Sequence, residues 1–208
     1  DVSAAQKDGY AHFMLKEIHE QPKALRNTIF PRLKESRIDL DDLGLSEEEI
    51  RRLRRISIVA CGSAWHAAVT GKYAIEELAR IPVETDLASE YRYRNPICEP
   101  DSLVIIVSQS GETADSLAAL RDAKARGSRV LAIVNVVGSS IAREADSVFY
   151  TNAGPEISVA TTKAYSCQLA AFYLLAAEFA RVRENIERTR SDGLLSSLRD
   201  LPDQVQGL

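Results

Sequence analysis

The sequence predicts an α/β fold: a three-layer α/β/α sandwich on a five-stranded parallel sheet, with flanking N- and C-terminal helices. Three observations carry this prediction. From residue 56 onward, short apolar runs alternate with helix-forming stretches. The runs are nearly continuous in apolar residues, as in strands covered on both faces, and do not alternate apolar with polar. Two of them end in small-residue turns that open helices, Gly62-Ser63-Ala64 and Ser108 to Thr113.

Taken in order, residues 1–30 open with a helix whose face carries Tyr10, Phe13, Met14, Glu17, Ile18 and Pro22 at spacings of three and four. Pro22 and the segment 27–31 punctuate it. His12 and His19 share a face and read as solvated surface, with no third metal ligand nearby. Residues 32–55 are charged. Ser46 followed by Glu47-Glu48-Glu49 fits a capping box, and Arg51, Arg52, Arg54 and Arg55 complement the helix end as a solvated face.

Ile56–Ala60 is then the first strand, followed by a helix from Ala64 to about Ala79. Val83–Asp86 is a short second strand with a polar Tyr91–Arg94 segment behind it. Leu103–Val107 is the third, and the helix after it runs to Arg126, where Gly127 takes the C-terminal position. Arg129–Val134 is the fourth strand, Gly138-Ser139-Ser140 opens a short helix to Glu144, and Ser147–Tyr150 is the fifth. After a Gly-Pro loop at 152–156, the helix from about Ala160 to Val182 is apolar nearly all round, so it is buried in the domain or at an interface. Residues 185–208 read as a helical exit or linker with Pro202 near its end. Three segments result: a helical extension over 1–55, an α/β domain over 56–184, and a C-terminal helix or linker over 185–208.

Composition narrows the function classes. The 208 residues are 45% apolar and 27% charged, enough for one well-buried domain plus flanking helices. A net charge of −4 offers no footprint for nucleic acid. No apolar run is long enough to cross a bilayer, and no signal peptide is expected. Cys61, Cys98 and Cys167 fall at no metal-ligand spacing, and an odd count makes a poor disulfide framework. The expectation is a soluble, cytoplasmic protein without metal or cofactor. Because the chain begins at Asp1, it reads as a piece of something longer.

The chemistry concentrates in Ser108-Gln109-Ser110-Gly111-Glu112-Thr113, between an apolar strand and a helix. The first N–H groups of a helix lack internal partners and carry positive potential. Hydroxyls at that point, with a glycine allowing close backbone approach, suit a phosphate. A plain N-cap would need one hydroxyl; the turn has three. If the strands ahead of the two small-residue turns are neighbours, both turns face one cavity at the carboxyl edge of the sheet.

Four segments carry a resemblance: Cys61-Gly62-Ser63-Ala64-Trp65-His66, Ser108 to Thr113, Gly138 to Asp146, and Gly154 to Lys163. Together they resemble sugar isomerase (SIS) domains, within them the isomerase half of the glutamine–fructose-6-phosphate aminotransferase family. Lys16-Glu17-Ile18-His19-Glu20-Gln21-Pro22 is similar to the start of that half, and the resemblance runs from about Gly9 to the C-terminus. It implies an SIS-type, flavodoxin-like sheet and a sugar-phosphate site. Ser108, Gln109, Ser110 and Thr113 are implied to hold the phosphate. Gly62 and Ser63 are implied to contact the sugar, and Val159 to line the site through its backbone. Ala64 and Ser158 depart from the pattern, Ala64 by lacking a hydroxyl.

The full enzyme that the resemblance implies converts fructose 6-phosphate to glucosamine 6-phosphate with ammonia released from glutamine. Its lysine and glutamate acid–base groups belong to a second SIS subdomain, so no catalytic residue is expected here. The expected partners are therefore fructose 6-phosphate or glucosamine 6-phosphate, a glutaminase domain and second SIS subdomain of the same chain, and a second copy in a homodimer. Two alternatives stay open. One is another SIS enzyme, a fructosamine-phosphate deglycase or amino-sugar phosphate isomerase. The other is a sugar-phosphate-sensing regulatory module, for which the short, acidic N-terminal region does not offer the expected helix-turn-helix segment.

Four further residues draw attention. Lys163 is expected in a structural ion pair, with Glu156 as the candidate partner. Glu112 would repel a phosphate from inside the turn and is expected to brace it from outside. Cys61 is expected as a small buried apolar group, and His66 as a packing residue.

Overall fold

Five parallel strands in the order β2-β1-β3-β4-β5 form the sheet in the computed structural model, which describes residues 6–35 and 37–208. They are β1 Arg55–Ala60, β2 Val83–Leu87, β3 Ser102–Ser108, β4 Arg129–Val134 and β5 Ser147–Tyr150. The interior strands bury almost every residue, which is why their sequences do not alternate. Side chains still divide by face. Ile56, Ile58, Leu103, Ile105 and Val107 enter one core, while Val59, Val104, Ile106, Val130 and Ala132 enter the other.

The first core is closed by α4 (Gly62–Ala79) and α8 (Lys163–Val182), joined by α2 (Gln21–Ile29) and α9 (Arg188–Gln206). The second is covered by α5 (Ala88–Tyr91), α6 (Ala114–Ala125) and α7 (Ser140–Glu144). Gly71 lets α4 and α8 approach closely, since a Cβ there would lie 2.4 Å from the Phe172 ring. α8 is buried within the domain along most of its length, which resolves the choice its composition left open. No helix among the described residues is long and apolar enough to cross a membrane.

Ahead of the sheet lie α1 (Phe13–His19), α2 and α3 (Glu47–Arg52). The capping box at α3 is formed: Ser46 Oγ accepts from the Glu49 amide at 3.2 Å, and Glu49 Oε2 accepts from the Ser46 amide at 2.8 Å. The single opening helix is corrected to two, with Pro22 in the first turn of α2, where a missing N–H costs nothing. Residues 1–5 of that expected helix lie outside the described residues.

The face assigned to α1 is corrected as well. Lys16 and Glu17 are its buried residues, whereas Met14 and Ile18 are about 40% exposed (42% and 40%). Electrostatic pairing overrides the apolar pattern: Lys16 Nζ lies 2.7 Å from Asp8 Oδ2, and Glu17 accepts two backbone amides. The C-terminal segment is helical as α9, with Pro202 buried inside it near its end.

Candidate functional site

The strand order reverses at β1, whose neighbours are β2 and β3, so the turns that follow β1 and β3 lie side by side. The register sets Ala60 against Val107, bringing Cys61 and Ser108 to the same carboxyl edge. An open cavity of about 260 Å³ lies there. The turn after β1 lines it with Cys61, Ser63 and Ala64, the turn after β3 with Ser108, Gln109, Ser110 and Thr113, and the segment before α8 with Glu156, Ser158, Val159 and Thr161. Gly62 does not line it; at φ 56° this residue turns the chain from β1 into α4, a left-handed conformation that favours glycine.

The hydroxyl turn is held from within and from outside. Ser108 Oγ accepts from the Gly111 amide at 3.0 Å and lies 3.2 Å from Thr113 Oγ1. Ser110 Oγ accepts from the Glu112 amide at 3.2 Å. On the outer side, Glu112 Oε1 accepts from the Ser140 amide at 2.8 Å, and Gly111 O accepts from the Ile141 amide at 3.0 Å. Glu112 thus points away from the cavity and braces the turn against α7. The Ser140 amide holds its carboxyl below the usual glutamate range. Gly111 is fixed sterically, since a Cβ there would fall 2.1 Å from Ser139 Oγ.

Two helices begin at this cavity without a side-chain cap: α4 after Cys61 and α6 after Thr113. Their first-turn amides and dipoles contribute positive potential. α8 differs. Glu156 Oε1 accepts from the Thr162 and Ala164 amides at 2.8 and 3.2 Å, and Oε2 from Thr161 Oγ1 at 2.8 Å. This corrects the partner expected for Lys163, whose Nζ meets Glu20 Oε2 at 2.5 Å while Glu156 closes the helix start.

Cys61 is corrected too: it is half-buried on the cavity wall, with Ser116 Oγ donating to its Sγ at 4.0 Å. His66 is exposed, its ring set edge-on to Trp65 at 5.1 Å. His19 stacks on Tyr10 at 5.3 Å, and no group of His, Cys, Asp and Glu among the described residues could hold a metal ion.

Sequence reasoning missed three residues. Glu17 reaches from α1 to accept the Ile157 amide at 2.6 Å and the Ser158 amide at 3.2 Å, fixing the backbone beside Val159. Thr161 lines the cavity from just ahead of α8, and Gln168 from its second turn. Gln168 stands inside an apolar helix and carries no sequence signal of its own. Among the described residues lining the cavity, Cys61 and Glu156 alone are titratable, and Glu156 is engaged by backbone and hydroxyl donors. Such a wall can grip an anion and hydroxyls but has no free acid–base pair for proton transfer.

A family model described as the SIS domain matches residues 49–178. A protein of Caldanaerobacter subterraneus subsp. tengcongensis named glutamine–fructose-6-phosphate aminotransferase [isomerizing] is 56% identical over 209 residues, covering 100% of this chain and 34% of its own length. The chain thus spans about a third of the length of such curated relatives. Among solved structures, the C-terminal domain of glucosamine-fructose-6-phosphate aminotransferase from Francisella tularensis superimposes with a TM-score of 0.90 at 41% identity, over 95% of this chain and 56% of that one. Glucosamine-6-phosphate deaminase from Thermotoga maritima does so with a TM-score of 0.68 at 26% identity, over 89% of this chain and 53% of that one.

Proposed function

Because this chain belongs to the SIS domain family, we propose that its cavity binds a sugar phosphate as the phosphate-gripping half of the isomerase site in a glutamine–fructose-6-phosphate aminotransferase. The whole enzyme would make glucosamine 6-phosphate from fructose 6-phosphate and glutamine. One observation carries the reading: the hydroxyl turn Ser108–Thr113 and the uncapped start of α6 share a cavity with Ser63. A phosphate there would take the Ser108, Ser110 and Thr113 hydroxyls, Gln109 and free first-turn amides, while Ser63 and the Val159 backbone would line the sugar. Gly62 contributes through the turn it permits.

The cavity wall lacks a free base, so the acid–base groups would come from a second SIS subdomain, with ammonia from a glutaminase domain of the same chain. Residues 1–55 would serve as a helical extension, 56–184 as the SIS domain and 185–208 as the C-terminal helix toward that second subdomain. The shared core of α2, α8 and α9 supports their packing as one unit. The assembly would be a cytoplasmic homodimer.

Calorimetric titration with fructose 6-phosphate and glucosamine 6-phosphate tests the site, alongside a Ser108→Ala/Thr113→Ala variant. Binding that the double substitution abolishes supports the assignment. Binding that survives it moves the phosphate elsewhere and overturns the reading.

A further inference from the structure

Gln168 is a polar side chain on the cavity wall with nothing to bond. It stands in the second turn of α8, only 4% exposed, and its surface opens on the cavity. Among the described residues its carboxamide has no hydrogen-bond partner, although Ser108 on the same wall, equally buried, bonds Gly111, and Thr161 bonds Glu156; Ser63, Gln109 and Ser158 are also unbonded through their side chains but reach solvent. Its neighbours on α8, Cys167 and Ala171, are apolar and buried in the core. Buried polar groups are paired as a rule, and an exception at the wall of a cavity points to a ligand.

We infer that the Gln168 carboxamide hydrogen-bonds the sugar portion of the bound sugar phosphate and helps select it. The chemistry sets the class of group it reads. A carboxamide carries two N–H donors and one carbonyl acceptor and no charge. It therefore suits sugar hydroxyls, which both accept and donate, and a carbonyl oxygen, which accepts from its N–H groups, while the dianionic phosphate belongs with the amides and hydroxyls of the Ser108–Thr113 turn. A site that pairs a buried amide with substrate hydroxyls also discriminates against ligands lacking them, because the amide is then left unsatisfied. This inference rests on the sugar-phosphate reading of the cavity given above.

The test compares the parent chain with Gln168→Leu, binding fructose 6-phosphate and, separately, inorganic phosphate by calorimetry, with thermal melting of both proteins. Leucine is close in volume and removes the unpaired amide, so the melting temperature should hold or rise. Fructose 6-phosphate affinity should fall about tenfold, the loss of one good hydrogen bond, with phosphate affinity unchanged. A Gln168→Asn variant, which keeps the amide one methylene short, should lose sugar affinity without losing phosphate affinity. Unchanged fructose 6-phosphate affinity in Gln168→Leu would overturn the inference and leave the phosphate site standing. A marked drop in melting temperature would make Gln168 a structural residue and overturn it as well. Failure of the parent to bind either ligand would overturn the sugar-phosphate reading, and this inference with it.

Discussion

The Glu17 carboxylate accepts the Ile157 amide at 2.6 Å, joining residues 140 positions apart. Glu17 is 2% exposed, and its oxygens also accept from the Ser158 amide. A buried carboxylate is costly unless such donors satisfy it. Here they do so, and in return the loop before α8 is anchored to α1.

Replacing Glu17 with Gln should therefore release that loop. The variant keeps the shape but turns part of an acceptor into a donor facing amides, at a cost of about 1–3 kcal/mol. Hydrogen exchange at Ile157 and Ser158 should accelerate at least tenfold, with the strand amides of β3 unchanged. Equal acceleration everywhere would mean global destabilisation, and unchanged rates would remove Glu17 from the loop's support.

Gly71→Ala should destabilise the domain although alanine is the better helix former. Propensity favours the change by about 1 kcal/mol. A Cβ 2.4 Å from the Phe172 ring opposes it, and that ring, 1% exposed, has no room to withdraw. Overpacking costs about 1–3 kcal/mol, and contacts with three ring atoms below 3 Å put this case at the upper end, about 2–3, so the net loss should reach roughly 1–2 kcal/mol, or about 3–6 °C in melting temperature. A melting temperature at or above the parent's would contradict the close crossing of α4 and α8.

The capping box predicts a pH dependence. The Ser46 hydroxyl and amide depress the Glu49 carboxyl, with Arg129 reinforcing them. A group whose folded pKa lies below its unfolded value, about 4.3 for glutamate, adds stability above that pH. The contribution is lost as pH falls through the lower folded value. The parent should thus exceed Glu49→Gln in stability at pH 7, and the difference should shrink below about pH 4. Glu49 is a third exposed (33%), so solvent screening keeps the gap at or below about 1 kcal/mol. A gap that widens on acidification would reverse the sign of the argument.

The strands were legible because parallel strands buried on both faces leave continuous apolar runs, as at Leu103–Val107. The hydroxyl turn was legible because its chemistry is local: strand end, turn and helix start are contiguous. The buried face of α1 is not legible, for the opposite reason. Lys16 and Glu17 point inward to satisfy Asp8, Glu20 and the loop at 157–158, and long-range pairing of that kind leaves no period in sequence. For Lys163 the sequence offers a nearby carboxylate, Glu156, whereas its partner Glu20 lies 143 positions away. Gln168 was hidden inside an apolar helix, where only the position of the cavity distinguishes it from a core residue.

The three cysteines offer a chemical probe of cavity and core in one experiment. Cys167 is fully buried in the core closed by α4 and α8, and burial pushes its thiol up to about 11, so little thiolate exists near neutrality. Cys61 lines the cavity and Cys98 sits half-buried away from it. With iodoacetamide at pH 8, peptide mass mapping should find Cys61 and Cys98 labelled in the native chain and Cys167 labelled only after unfolding. Saturating fructose 6-phosphate should then slow labelling at Cys61 severalfold while leaving Cys98 unchanged, because the ligand would cover one wall and not the other. Equal protection at both thiols would indicate a general tightening of the fold, and protection at Cys98 alone would move the ligand away from the turn after β1. Native labelling of Cys167 at the rate of Cys61 would mean that the helices over this face of the sheet part readily, contrary to the packing that Gly71 and Phe172 establish.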